Sequence, residues 1–324
     1  MKYAQLGHSG VEVSRVCLGT MNFGPVIDEP ESHQVLDAAL SAGINYLDTA
    51  NVYGWDDKGL TERIVGSWLA GAGQRRDKVV VATKLYGTMG DDKDWPNHYG
   101  LAARSIVREC EASLRRLQTD WIDVYQMHHV DRRVPWDEIW AAMERLVAAG
   151  KVLYVGSSNF AGWHIAQAQE AARSRHFLGL VSEQSLYNLV ERSIELEVLP
   201  ACQAYGVGVV PWSPLHGGAL GGILAKADKG RSAGGRAADY LAEHRDQIEQ
   251  WEALCADLGE EPADVALAWL LHQDGVTAPI VGPRTPDQRA GAVRAVELEL
   301  DDATRARLDE LFPGPGPAPE AYAW

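Results

Sequence analysis

Four side chains able to move a proton lie at or just beyond the ends of apolar, β-branched runs. They are Asp48 and Tyr53 in L-D-T-A-N-V-Y-G, Lys84 in V-V-V-A-T-K, and His128 in D-V-Y-Q-M-H. Reducing a carbonyl takes a hydride at carbon and a proton at oxygen. A phenol can give that proton, but its ordinary pKa of about 10 is poorly matched to neutral pH. An ammonium beside it favours phenolate, so Lys84 is expected to lower the Tyr53 pKa. Asp48 would keep Lys84 charged and oriented. A neutral His128 would position the substrate oxygen and stabilise the negative charge developing there. His129 follows at once, but strand alternation groups His128 with Gln126 and Val124 and leaves His129 to begin a loop. Each residue alone has an ordinary use: Tyr53 in packing, Lys84 in solvent, Asp48 capping a turn with Thr49. As a set they read as the proton-delivery device of a reductase.

Such a set needs a scaffold that brings distant strand ends to one rim. A hairpin is expected first, from residues 3–6 and 11–14, followed by eight short apolar strands at 16–19, 44–48, 79–83, 122–126, 153–156, 180–184, 207–210 and 278–281. Helical spacing fills the gaps at 31–41, 62–69, 104–117, 136–149, 163–173, 193–204, 262–272 and 286–296. Eight strands alternating with eight helices predict an α/β fold, a (β/α)8 TIM barrel with an N-terminal hairpin. A doubly wound sheet is the rival, but no G-x-G-x-x-G opens the first βα turn. A long seventh βα loop runs from Trp212 to about Asp239, with an extra helix expected at 241–258. It carries Lys226, Lys229, Arg231 and Arg236, a basic cluster read equally as a solvated loop or a phosphate clamp.

The 324 residues are read as a single barrel domain over 1–324, its Pro/Gly-rich end at 313–324 tending to disorder. A net charge of −15 opposes general binding to nucleic acid or anionic membrane. Cys17, Cys110, Cys202 and Cys255 lack metal spacing, so no metal is expected and buried thiols are. With no leader-like or membrane-length apolar run, the expected location is cytoplasmic.

These residues, in this order, resemble the aldo-keto reductase superfamily over nearly the whole chain. The matching stretches are L-G-T-M at 18–21, D-T-A-N-V-Y-G at 48–54, A-T-K at 82–84, Y-Q-M-H at 125–128, G-S-S-N-F at 156–160, Q-S-L-Y-N at 184–188, W-S-P-L at 212–215 and V-G-P-R at 281–284. The resemblance implies NADPH (NADP+) as cofactor, a small carbonyl substrate, and Asp48, Tyr53, Lys84 and His128 as catalytic tetrad with Tyr53 as general acid. It also implies that Ser158, Asn159 and Gln184 hold the nicotinamide carboxamide and that Trp212 stacks on the ring. Gly19, Thr20, Met21 and Asp48 would border the cofactor, and Ser213, Pro214, Leu215 and Gly217 would approach the pyrophosphate. Gly282, Arg284 and Gln288 would open the last helix, with Arg284 meeting the 2′-phosphate. Two departures stand out. Gly222 precedes Ile223 and Leu224 where relatives often carry Lys-Tyr, leaving Lys226 or Arg231 as clamp. Gly291 and Ala292 replace Glu-Asn near the adenine.

Within the superfamily the chain resembles the branch of potassium-channel β subunits and bacterial reductases, including actinobacterial nucleotide-deoxyhexose reductases. The leading expectation is NADPH-dependent reduction of an aldehyde or ketone. The alternatives are a nucleotide-linked deoxyhexose keto- or 2,3-enoyl-reductase and an NADPH-sensing regulatory subunit. Met21, Phe23, Trp55, Tyr86, Trp95 and His129 are candidate substrate walls, each equally readable as packing. The tail ending in Tyr322 and Trp324 is a candidate closure over the site. Oligomeric state is not readable from the sequence.

Overall fold

Period-2 alternation sorts the strand residues into two apolar layers. Inward-facing Tyr46, Val80, Ala82, Val124, Val210 and Ala278 pack together with Leu6, Val13 and Cys17. Outward-facing Leu47, Val81, Leu85, Tyr125 and Val155 join the core shared with the helices. A computed structural model describes residues 1–71, 74–89, 95–225, 235–283 and 286–323. β1 (Tyr3–Gln5) and β2 (Glu12–Ser14) pair antiparallel as the expected hairpin, and Leu6 and Val13 plug the strands' N-terminal end of the inner core.

The main sheet is parallel and eight-stranded: β3 (Cys17–Gly19), β4 (Tyr46–Asp48), β5 (Val80–Leu85), β6 (Ile122–Met127), β7 (Val152–Ser158), β8 (Leu180–Gln184), β9 (Gly208–Val209) and β10 (Ile280–Val281). Its spatial order is β10-β3-β4-β5-β6-β7-β8-β9. Backbone bonds close the curl, from Val209 N to Gly275 O at 2.9 Å, Thr277 N to Val209 O at 2.8 Å and Ile280 N to Pro211 O at 2.8 Å. This is the expected (β/α)8 barrel. Strands β4 and β10 are shorter than predicted for local reasons. The Asn45 side chain ties β2 instead, accepting from Ser14 N at 2.7 Å and donating to Glu12 O at 3.1 Å. Pro279, with no N–H, cannot donate to the ladder ahead of β10.

Helices α1 (Glu29–Ser41), α2 (Leu60–Leu69), α3 (Ala103–Leu117), α4 (Trp136–Ala148), α5 (Gly162–Ser174) and α6 (Val198–Tyr205) follow successive strands. Asp28 and Glu31 form a reciprocal capping box at the start of α1. The predicted helix at 193–204 divides into a short turn, Ser193–Glu195, and α6. Pro200 explains the division, because its ring is tolerated only in a helix's first turn. After β9 come α7 (Arg236–Glu243), α8 (Arg245–Leu258) and α9 (Pro262–Leu271), the expected extra helix being two that break at His244. α10 (Pro286–Ala295) follows β10, then α11 (Asp302–Leu311) and the short α12 (Glu320–Ala323).

Sequence reading missed α11, half of whose residues are charged. Its signal is Asp301, which caps it by accepting from Thr304 N at 2.8 Å, and its anchor is buried Leu308. The tail, expected to tend to disorder, carries the short α12. Arg192 donates to Phe312 O at 2.7 Å, and the Tyr322 hydroxyl donates to Glu197 beside α6 at 3.2 Å. Trp324 lies outside the described residues.

The strand that carries Lys84 is clamped from behind. Thr83, pointing outward, donates to Glu62 of α2 at 2.6 Å, and Arg116 of α3 donates to the other Glu62 oxygen at 2.6 Å. Glu62 is fully buried. A buried carboxylate that loses its partner costs about 3–5 kcal/mol. Arg116→Met should therefore lower the unfolding free energy by about that much. Adding Glu62→Gln should restore most of it, measured by urea unfolding at pH 7. An unchanged midpoint in the single variant would refute this account.

Candidate active site

Asp48 ends β4 facing into the barrel, almost fully buried. Its carboxylate gathers donors from three other strands. Lys84 Nζ donates to Oδ2 at 2.6 Å, while Gln184 and Gln126 Nε2 donate to Oδ1 at 2.8 and 3.1 Å. Sequence reading passed over Gln126 as a site residue, though its inward register with His128 was visible. Lys84, wholly buried, uses all three ammonium protons, on Asp48, on Thr49 O at 2.9 Å and on the Tyr53 hydroxyl at 3.1 Å. Tyr53 stands in a tight turn after β4. Gly54 holds φ 122 there, and a Cβ would meet Asp57 O at 2.2 Å. The His128 ring meets the Tyr53 ring edge-on with centroids 6.2 Å apart, and His129 stacks behind it at 5.5 Å.

Burial and charge set the protonation states. Burial disfavours the Lys84 charge, but Asp48 and Tyr53 outweigh it and hold the pKa above the ordinary lysine value. Burial is also the largest influence on Tyr53, raising its pKa, and Asp48 adds to that. Lys84 pulls the other way, as anticipated, without prevailing. The expected net lowering is thus corrected: the phenol is held in its protonated form. Burial, then the Lys84 and His129 charges, bring the His128 pKa down to about 3, so its imidazole is neutral.

The residues expected around a nicotinamide occupy the next strand ends. Ser158 Oγ donates to Gln184 O at 2.9 Å. Asn159, at φ 59, donates to His128 O at 3.2 Å and accepts from Trp212 Nε1 at 3.0 Å. Gln184 reaches the interior because β8 bulges at Val181: Val155 pairs with Leu180, and Gly156 with Ser182. Gly156 leaves the room, since a Cβ there would lie 2.6 Å from Ser182 Oγ and 3.1 Å from Gln126 Cγ.

After Trp212 the chain turns through left-handed residues, Ser213, His216, Gly217 and Gly218. Ser213 Oγ accepts from Gly217 N at 3.2 Å, and Asn188 Nδ2 donates to Ser213 O at 3.0 Å. Pro214 is buried and Leu215 half-buried in this turn. Thr20 is buried with its hydroxyl on Asp48 O at 2.9 Å, beside Gly19, and Met21 is 43% exposed. Gly282 and Gln288 are exposed at the far end of the mouth, Gln288 in the first turn of α10. Arg231 and Arg284, with Lys226 and Lys229, lie outside the described residues. Trp55 and Trp95 are each 59% exposed, and the Tyr86 ring meets His129 edge-on at 5.5 Å. Phe23, at 2% exposure, packs in the core and is removed from the candidate walls.

This donor set fits a nicotinamide ring and its carboxamide. Amides and a hydroxyl from Gln184, Asn159 and Ser158 sit beside an indole whose N–H is already fixed. Buried Asp48 and Lys84 and half-buried Tyr53 and His128 lie next to them. No helix among the described residues is long and apolar enough to cross a membrane.

Comparison with known proteins gives the family. The sequence model of the aldo/keto reductase family matches residues 15–312. The uncharacterized oxidoreductase YrpG of Bacillus subtilis (strain 168) is 54% identical over 327 residues, covering 100% of both chains. The aldo-keto reductase AMT2 of Alternaria alternata is 34% identical, covering 96% of this chain and 91% of its own. The versiconal hemiacetal acetate reductase of Aspergillus parasiticus is also 34% identical, covering 96% and 97%. The chain therefore belongs to the aldo/keto reductase family and is an oxidoreductase.

Proposed function

We propose that the chain is an NADPH-dependent reductase of aldehydes or ketones with Tyr53 as its general acid. The observation that carries this reading is the Asp48–Lys84–Tyr53 chain of hydrogen bonds beside a neutral His128. The bound nicotinamide would supply a hydride to the carbonyl carbon. Tyr53, protonated at neutral pH, would donate to the carbonyl oxygen as charge develops there. Lys84, whose ammonium already donates to the same phenolic oxygen, would stabilise the phenolate left behind. His128 is too weak a base to carry the transferred proton, so its part would be to orient the carbonyl.

Ser158, Asn159 and Gln184 would hold the carboxamide and Trp212 would lie against the ring. The turn 213–217 would approach the pyrophosphate, its positive-φ residues bringing backbone close. The preference for NADPH draws on Arg284 and Arg231. A bulky apolar carbonyl compound suits the exposed Met21, Trp55 and Trp95, on the same side of the barrel as Tyr86 and His129. The name of the Aspergillus relative, a hemiacetal acetate reductase, supports an aldehyde-level carbon as the acceptor. A nucleotide-linked sugar substrate would need the basic segment 226–236, most of it outside the described residues.

Cofactor oxidation across a carbonyl panel, nucleotide-linked keto-sugars included, tests the reading. NADPH is expected to give the higher kcat/KM and apolar aldehydes to surpass the sugars; the reverse order of substrates would reject it. Tyr53→Phe is expected to lower kcat by about 10²–10⁴-fold while NADPH affinity stays within about 3-fold. Retained turnover would remove Tyr53 as acid. In the direction of reduction, kcat should fall on the alkaline side, where Tyr53 loses its proton. With His128 at about 3, no limb should appear near the ordinary imidazole pKa of about 6.5. A limb there in the kcat profile would contradict the neutral-imidazole assignment.

A further inference from the structure

We infer that Glu183 is a positioning residue for the cofactor site. From outside the barrel wall its carboxyl group holds the turn at Asn159 and Phe160. Through Asn159 it sets the Trp212 indole and the His128 backbone. The inference rests on the nicotinamide reading of that site.

The Val181 bulge that turns Gln184 inward turns Glu183 outward, between the strands and α6. There it is fully buried, and among the described residues no cation pairs with it. The titratable group facing it is Cys202 of α6, whose thiol is pushed up by burial and then by the Glu183 charge. An unpaired carboxylate in such a place is costly. If packing were its only task, Met or Leu would serve better. Its hydrogen bonds show another task. Oε1 accepts from Phe160 N at 3.0 Å and from Ser185 Oγ at 2.8 Å, and Oε2 bonds Ser157 Oγ. The residue before Phe160 is Asn159, held at φ 59 with its amide spread between His128 O, Ser158 Oγ and Trp212 Nε1. One carboxyl group thus fixes the turn through which the ends of β6, β7, β8 and β9 meet.

Burial raises the Glu183 pKa to about 7 against the lowering pull of these donors. Both charge states serve the same geometry. A proton on Oε2 would be donated to Ser157 Oγ, which itself reaches Ser182 O at 3.4 Å, while Oε1 keeps Phe160 and Ser185. A glutamine reproduces the neutral form. A methionine fills the space and accepts nothing from Phe160 N.

The test compares Glu183→Gln and Glu183→Met with the unsubstituted enzyme. The first readout is amide exchange over residues 157–162 without added dinucleotide, and the second is KM for NADPH measured separately from kcat. Glu183→Gln should stay within about 2-fold on both. Glu183→Met should speed exchange at Phe160 and raise KM for NADPH by about 10-fold each, the worth of a buried amide left unpaired, with a smaller change in kcat. Should Glu183→Met fail to fold, Ser185→Ala removes one of the two Oε1 donors, with a smaller rise in both readouts expected. If Glu183→Met, or Ser185→Ala in its place, matches the unsubstituted enzyme while dinucleotide binding is intact, this inference alone is overturned. Gln as damaging as Met would also overturn it. If the unsubstituted enzyme binds neither NADPH nor NADH, the cofactor reading falls and takes this inference with it.

Discussion

The buried ion pair between Asp48 and Lys84 is the interaction on which the rest of the site depends. Two full charges have left water, and the desolvation of such a pair can cancel its Coulombic attraction. What makes it tenable is saturation. Lys84 has three protons and three acceptors, and Asp48 takes donors at both oxygens. Those donors come from β5, β6 and β8, so only a sheet curled far enough to bring β8 opposite β4 can supply them all. The barrel is in this sense a condition of the ion pair. The ion pair in turn keeps an ammonium against the Tyr53 hydroxyl, where solvent alone would not hold it.

That arrangement assigns roles by environment more than by residue type. Tyr53 and His128 share a mouth and touch edge to face. Burial stabilises the neutral form of each, and the Lys84 charge further disfavours a protonated imidazole. A histidine is the ordinary titrating group near neutrality. Here it is removed from that range, and the phenol next to the ammonium stays protonated.

Much of this was readable from the chain because strand alternation and strand-end position are local properties. Lys84 and His128 were placed correctly at the ends of β5 and β6, and the eight-strand count followed from apolar runs alone. Most of the failures share one cause: they depended on what a residue meets across the structure. The sign of the Tyr53 shift turned on burial, which L-D-T-A-N-V-Y-G does not reveal. Gln126 looked like an ordinary inward residue until Asp48 arrived from 78 positions away. Phe23, equally readable as wall or packing, is core. Helix α11, with half its residues charged, has little periodicity to find, and only the Asp301 cap marks it. The bulge at Val181 left no pattern in L-V-S-E-Q, although it decides which of two adjacent polar residues enters the barrel.

That bulge connects the two halves of the site. With unbroken alternation, Val181 facing inward would put Glu183 inside and Gln184 outside. Glu183 would then bring a second carboxylate toward Asp48, and two like charges in one buried cavity raise the pKa of one or both. The single ammonium of Lys84 could not neutralise both. The extra residue instead delivers an uncharged amide to Asp48 and sends the carboxyl group behind the wall, where backbone and hydroxyl donors meet it. One register shift therefore keeps the net charge around Lys84 balanced and fixes the neighbouring turn at Asn159. The loops that carry Trp55, Trp95 and Met21 stand apart from this frame, because neither the ion pair nor the turn draws a hydrogen bond from those side chains.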